Sequence, residues 1–88
     1  MNEKELKRIL KSLANKRRIA IVRFLKNEKE AMVGSIAEKI RLSFKATSKH
    51  LSILSSANIL EKEQRSSQVF YSISTDLPEL ARRIISLL

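Results

Sequence analysis

Leu6, Ile9, Leu10 and Leu13 recur at i, i+3, i+4, i+7, the apolar stripe of an amphipathic helix, and Asn2 followed by Glu5 has capping-box spacing. A first helix is expected over about 3–13. Ile19, Ile21, Val22, Phe24 and Leu25 are too dense for a one-sided helix, so the second, about 16–26, should fill the centre of the domain. A short extended stretch at Ala31-Met32-Val33 follows, and Ser35 with Glu38 repeats the capping-box spacing ahead of a brief helix carrying Ile36, Ala37 and Ile40. Arg41-Leu42 makes a turn. Ser43 then caps a fourth helix ending near Asn58, whose inward face is Thr47, Leu51 and Leu54, with His50 at its edge. From Leu60 the period becomes two: a strand Leu60 to Gln64, the turn Arg65-Ser66-Ser67, and a second strand through Val69, Tyr71 and Ile73. Asp76 and Glu79 around Pro78 open a last helix, about 77–88, with Leu77, Leu80, Ala81, Ile84, Ile85 and Leu88 on one stripe.

Eighty-eight residues suffice for one core, so residues 1–88 are read as a single domain. One Gly and one Pro leave few breakers, in keeping with a mainly helical chain bearing a small β-hairpin. The absence of Cys removes disulfides, thiolate metal sites and a Cys nucleophile, and it fits a reducing cytoplasm. The longest apolar run, Ile19-Ala20-Ile21-Val22, is far short of a membrane span, and no apolar segment follows the charged N-terminus. A cytoplasmic protein with no membrane partner is expected. Its small core invites oligomerisation.

The net charge is +9, and it has a direction along the chain. Residues 1–58 hold fourteen basic and five acidic side chains, whereas residues 59–88 hold four of each. The basic part implies a polyanion-binding face, and nucleic acid is the leading partner.

Helix, helix, short strand, short helix, tight turn, longer helix and hairpin is the order of a winged helix-turn-helix, with about five helices and a wing of two to three strands. In that architecture the helix after the turn enters the DNA major groove. Phe44, Lys45, Ser48, Lys49 and Ser52 would face outward, polar and small enough for close approach, with Thr47 and His50 beside them and Ser43 at the cap. Lys16, Arg17 and Arg18 place three cations in a helix first turn, where they are locally unfavourable; free N–H groups and cations together would hold a DNA phosphate. An alternative for Arg18 is pairing with Glu28 or Glu38. Arg65, Ser66, Ser67 and Gln68 form a wing tip suited to backbone or minor-groove contact.

Leu13-Ala14-Asn15-Lys16-Arg17-Arg18-Ile19, Ile36-Ala37-Glu38, Leu42-Ser43, Ser48-Lys49-His50-Leu51 with Leu54, and Val69-Phe70-Tyr71-Ser72-Ile73 together resemble the ArsR-type winged-helix repressors. The resemblance covers nearly the whole chain. It implies a homodimer built on the first and last helices, through Leu6, Ile9, Leu10, Leu13, Leu80, Ile84, Ile85 and Leu88, that binds an imperfect palindrome in double-stranded DNA. Many members release DNA when a metal binds. Here Met32 and Gly34 stand where some members carry a Cys-x-Cys pair, and the last helix offers only Asp76 and Glu79, without His. No metal and no cofactor is expected.

His50 is the sole imidazole and lacks the company a metal site needs. No Ser-His-Asp order, Gly-rich phosphate loop or close carboxylate pair nominates a catalytic group, so no enzyme activity is expected. The reading is a sequence-specific DNA-binding regulator, a dimeric repressor. The rivals are a winged helix that binds an acidic protein surface and a basic amphipathic protein on a membrane surface.

Overall fold

The computed structural model describes all of residues 1–88. The helices are α1 (Glu3–Leu13), α2 (Lys16–Glu28), α3 (Val33–Ile40), α4 (Phe44–Ser56) and α5 (Glu79–Ser86), and the strands are β1 (Glu30–Ala31), β2 (Leu60–Arg65) and β3 (Gln68–Ile73). The strands form one antiparallel sheet in the order β1-β3-β2. This is a winged helix-turn-helix.

Side-chain caps start three of the helices. Asn2 accepts from the Glu5 amide, Asn15 from the amides of Arg17 and Arg18, and Ser43 from the Ala46 amide. The two other expected capping boxes do not form. Pairing of β1 with Ser72 and Tyr71 holds the chain extended up to Ala31, so α3 begins at Val33 behind Met32, which makes no side-chain cap, and Ser35 lies exposed inside the helix. At the other end the Asp76 amide is held by the Ser74 hydroxyl, and Pro78 precedes α5 without a side-chain cap. That helix is therefore shorter than the apolar stripe suggested, and Leu87 and Leu88 finish it with bonds to the Ile84 and Ile85 carbonyls.

Ile21, Val22 and Leu25 of α2 lie at the centre, surrounded by Ile9 and Leu13 of α1, Ile36 and Ile40 of α3, Leu51 and Leu54 of α4, Ile59, Leu60 and Tyr71 of the wing, and Ala81 and Ile85 of α5. Ile19 and Phe24 are only partly buried, so α2 keeps one solvent-facing edge. The turn of the helix pair is set by Arg41 in the left-handed region at φ 56°, ψ 53°, with the Leu42 amide reaching back to the Ala37 carbonyl in a Schellman closure. Asn58, at φ 61°, ends α4 in the same manner, with the Ile59 amide on the Leu54 carbonyl. In the wing, Arg65 pairs with Gln68, which leaves the two-residue turn Ser66-Ser67 with Ser66 at φ 60°. Arg65 thus belongs to the strand and not to the turn.

Candidate nucleic-acid interface

Thr47, Leu51 and Leu54 anchor α4 in the core, which turns the opposite face outward. Phe44 is 63% exposed, Lys45, Lys49 and Ser52 are exposed, and Ser48 is half-buried. Neither lysine has a carboxylate in ion-pair range. Phe44 and Ser48 face Ser67 and Gln68 of the wing across an open groove of about 730 Å³, so recognition helix and wing tip share one surface.

Several expected contacts are corrected by this geometry. Thr47 is fully buried with its hydroxyl unpartnered and does not reach the surface; its place on the inward stripe overrides its polarity. Ser43 is not among these: its Oγ accepts from the Ala46 amide, and the exposed hydroxyl keeps its own proton to donate. Two of the amides at the start of α2 are not free for a phosphate, because Asn15 Oδ1 holds those of Arg17 and Arg18 at 2.9 and 3.1 Å.

The cations of α2 have other work. Arg17 Nη1 donates to the Ile40 carbonyl at the C-terminus of α3 at 2.7 Å. Arg18 pairs with neither Glu28 nor Glu38: Nε donates to the Ser12 carbonyl at 2.6 Å, Nη2 to the Lys11 carbonyl at 3.2 Å, and Nη1 lies 3.0 Å from His50 Nδ1. Since a guanidinium only donates, Nδ1 accepts and the neutral imidazole carries its proton on Nε2. Burial, and then the charges of Arg18, Arg17 and Lys49, hold the His50 pKa below its ordinary value. Lys16 alone of the three is exposed, beside Arg17, Arg23 and Lys39 in a groove of about 460 Å³ between α2 and α3.

Arg65 is likewise engaged. Its guanidinium lies over the Phe70 ring, 4.5 Å from the centroid, and reaches across β3 to Glu30 with two bonds of 2.6 and 2.8 Å. Glu63 takes two more, at 2.9 and 2.6 Å. The bond from Arg65 keeps the Glu30 carboxyl below the usual carboxylate range. Two carboxylates neutralise the wing's arginine, which leaves Ser66, Ser67 and Gln68 as the exposed tip.

One basic surface lies outside the expected set. Lys4, Lys7, Arg8 and Lys11 follow i, i+3, i+4, i+7 on α1 and, with Arg18, line an open groove of about 850 Å³ against Ser52, Ile53 and Ser56 of α4. The signal is present in the sequence, as a helical period of lysines interleaved with the leucine period of the same helix.

The apolar residues expected to join two copies divide in the structure. Ile9, Leu13 and Ile85 are buried in the chain's own core. Leu6 and Leu10 are 37% and 46% exposed, Leu80, Ile84 and Leu88 are half-buried, and Leu87, not anticipated, is 84% exposed. Within the chain no three His, Cys, Asp or Glu side chains cluster, and Glu79 is paired with Arg82 and Arg83 at 3.7 and 3.2 Å. No helix is long and apolar enough to cross a membrane.

Comparison with known proteins places this geometry. The nodulation protein NolR of Rhizobium meliloti is 37% identical over 67 residues, which are 76% of this chain and 54% of that protein, so the chain spans about half the relative's length. Among solved structures, NolR of Sinorhizobium fredii superposes with a TM-score of 0.81 at 30% identity, covering 96% of this chain and 80% of that one. HlyU of Vibrio cholerae gives 0.81 at 28%, covering 99% and 92%. A homodimeric winged helix-turn-helix DNA-binding domain of Mycobacterium bovis gives 0.81 at 27%, covering 96% and 74%. Residues 15–62, from the Asn15 cap through the recognition helix into β2, match the family described as bacterial regulatory protein, arsR family, and the chain belongs to that family.

Proposed function

We propose that the chain is a transcriptional repressor that acts in the cytoplasm as a homodimer and binds an imperfect palindrome in duplex DNA. The observation that carries this reading is the outward face of α4, basic, small and unpaired, set beside the wing tip. Lys45, Ser48, Lys49 and Ser52 reach base edges, with Phe44 against a thymine methyl, while Lys16 and the wing tip Ser66, Ser67 and Gln68 hold the backbone. Arg17, Arg18 and His50 position these elements, and His50 offers its Nε2 proton to a phosphate. The exposed edge of Leu6, Leu10 and Leu87, continued by Leu80, Ile84 and Leu88, joins the two copies. Support comes from the family, which is one of transcriptional regulators, and from the M. bovis domain, itself homodimeric.

Selection of bound duplexes from a random pool supplies the site, and variants then separate the two kinds of contact. Lys16→Ala should weaken binding to all sequences alike and make the slope of log K against log salt shallower by about 0.9. Ser48→Ala or Lys49→Ala should erase preference at one or two base pairs, costing about 1–3 kcal/mol against the best site and little against random DNA. If both classes behave alike, the basic face serves an acidic protein surface instead.

A further inference from the structure

Given the DNA reading above, we infer that α1 is a second DNA-contacting element, and that its stripe of Lys4, Lys7 and Lys11 grips the phosphate backbone next to the groove read by α4. Three observations carry this. The first is charge: the groove between α1 and α4 is lined by five cations and a single carboxylate, Glu3, and no carboxylate lies in ion-pair range of the α1 lysines or Arg8. Holding four like charges at helical spacing on one face is mutually repulsive, and a polyanion relieves it.

The second is continuity. Ser52 and Ser56 of α4 form the opposite wall, so the groove begins where the recognition face ends, and small hydroxyl side chains leave room for a sugar–phosphate chain. Arg8 Nη1 lies 3.5 Å from the Ser56 carbonyl, and Arg18 bonds the end of α1 while contacting His50 of α4, so the two walls are held in fixed relation. The third is direction. At about 100° per residue the lysine stripe sits roughly 115° round α1 from Leu6 and Leu10, and a second copy on the leucine edge leaves the groove open.

Length fits the same occupant. From Lys4 to Lys11 the helix rises about 10 Å, the length of about three base pairs at 3.4 Å each. Three phosphate contacts from three lysines follow.

The test compares the full chain with a triple variant, Lys4→Ala with Lys7→Ala and Lys11→Ala, all at exposed positions. A second triple variant of equal charge loss, Lys29→Ala with Arg82→Ala and Arg83→Ala, controls for net charge. On the selected duplex, the slope of log K against log salt should become shallower by about 2.7 in the α1 variant and far less in the control. Phosphate ethylation interference should show positions that matter to the wild type and no longer matter to the α1 variant. Equal losses in both variants, or a wild-type slope and interference pattern in the α1 variant, overturn the assignment while leaving α4 and the wing as the DNA site. A wild type that binds no duplex with sequence preference overturns the DNA reading and this assignment together.

Discussion

Arg17, Arg18 and Lys26 all belong to α2, and each bonds main-chain carbonyls near the C-terminal end of a different helix: α3 at Ile40, α1 at Lys11 and Ser12, and α5 at Ile85. Cations at carbonyl-rich helix ends are favourable, and for Arg17 and Arg18 this offsets the cost of their place at the start of α2. Three cations in one first turn stand out in the sequence, but the resolution for the two arginines depends on where α3 and α1 end. Thr47 makes a related point. Its inward position is legible from the i+4, i+7 spacing to Leu51 and Leu54, whereas its orphaned hydroxyl is visible only once the core is assembled. Thr47→Val should therefore stabilise the fold by about 1 kcal/mol, read by urea unfolding, and leave DNA affinity unchanged. His50 gives a pH dependence with a definite sign. Its folded pKa is depressed by burial, Arg18, Arg17 and Lys49, so below about 6.5 the unfolded chain takes up a proton that the native site resists. Stability should fall as pH drops through that range, and urea midpoints of a His50→Gln variant between pH 5 and 8 should lack this component.

At the scale of elements, all five helices and the hairpin could be read from periodicity, because the apolar stripes that define them are also the faces they bury. Boundaries were legible only where a side-chain cap exists. Asn2 and Ser43 act as their spacing says, whereas Ser35 with Glu38 and Asp76 with Glu79 carry the spacing without the bond. Strand pairing of Glu30 and Ala31 with Ser72 and Tyr71, some forty residues away in sequence, decides the first case, and no local pattern reports it. The wing illustrates the same limit for function. Arg65 beside Ser66 and Ser67 reads as a free cation at a tip, yet Glu30 arrives from β1 to bind it in a fork. Arg65→Ala should accordingly leave the salt slope of DNA binding unchanged while speeding amide exchange in β1 and at the wing tip. A slope shallower by about 0.9 would show that the guanidinium leaves its carboxylates for a phosphate.

Over the whole molecule, and on the function proposed above, the basic N-terminal part carries the DNA-facing cations, and the neutral C-terminal part carries the wing and half of the exposed apolar edge. The uneven charge that suggests this division is legible in the sequence, but the residues of the exposed apolar edge are not. Ile9 and Leu13 share a stripe with Leu6 and Leu10, and only the packing of α1 on α2 shows which two are spent on the core. Leu10→Asp, on the exposed edge, should spare the monomer fold and place an unpaired charge in the dimer contact, at a cost of about 3 kcal/mol. Sedimentation should then show dimer association weakened more than about 100-fold, with the circular dichroism of the folded chain retained.

The bonds of Arg18 join the end of α1 to the recognition helix through His50. In a dimer built on α1, each reading head is then fixed to the symmetry axis by a short, stiff arm, and the pair behaves as a caliper set to one opening. Inserting one base pair between the half-sites moves them apart by about 3.4 Å and turns one against the other by roughly 35°, a mismatch the caliper cannot absorb. A spacer series should therefore show one sharply preferred length, and Arg18→Ala should broaden that preference more than it lowers affinity for the best spacing.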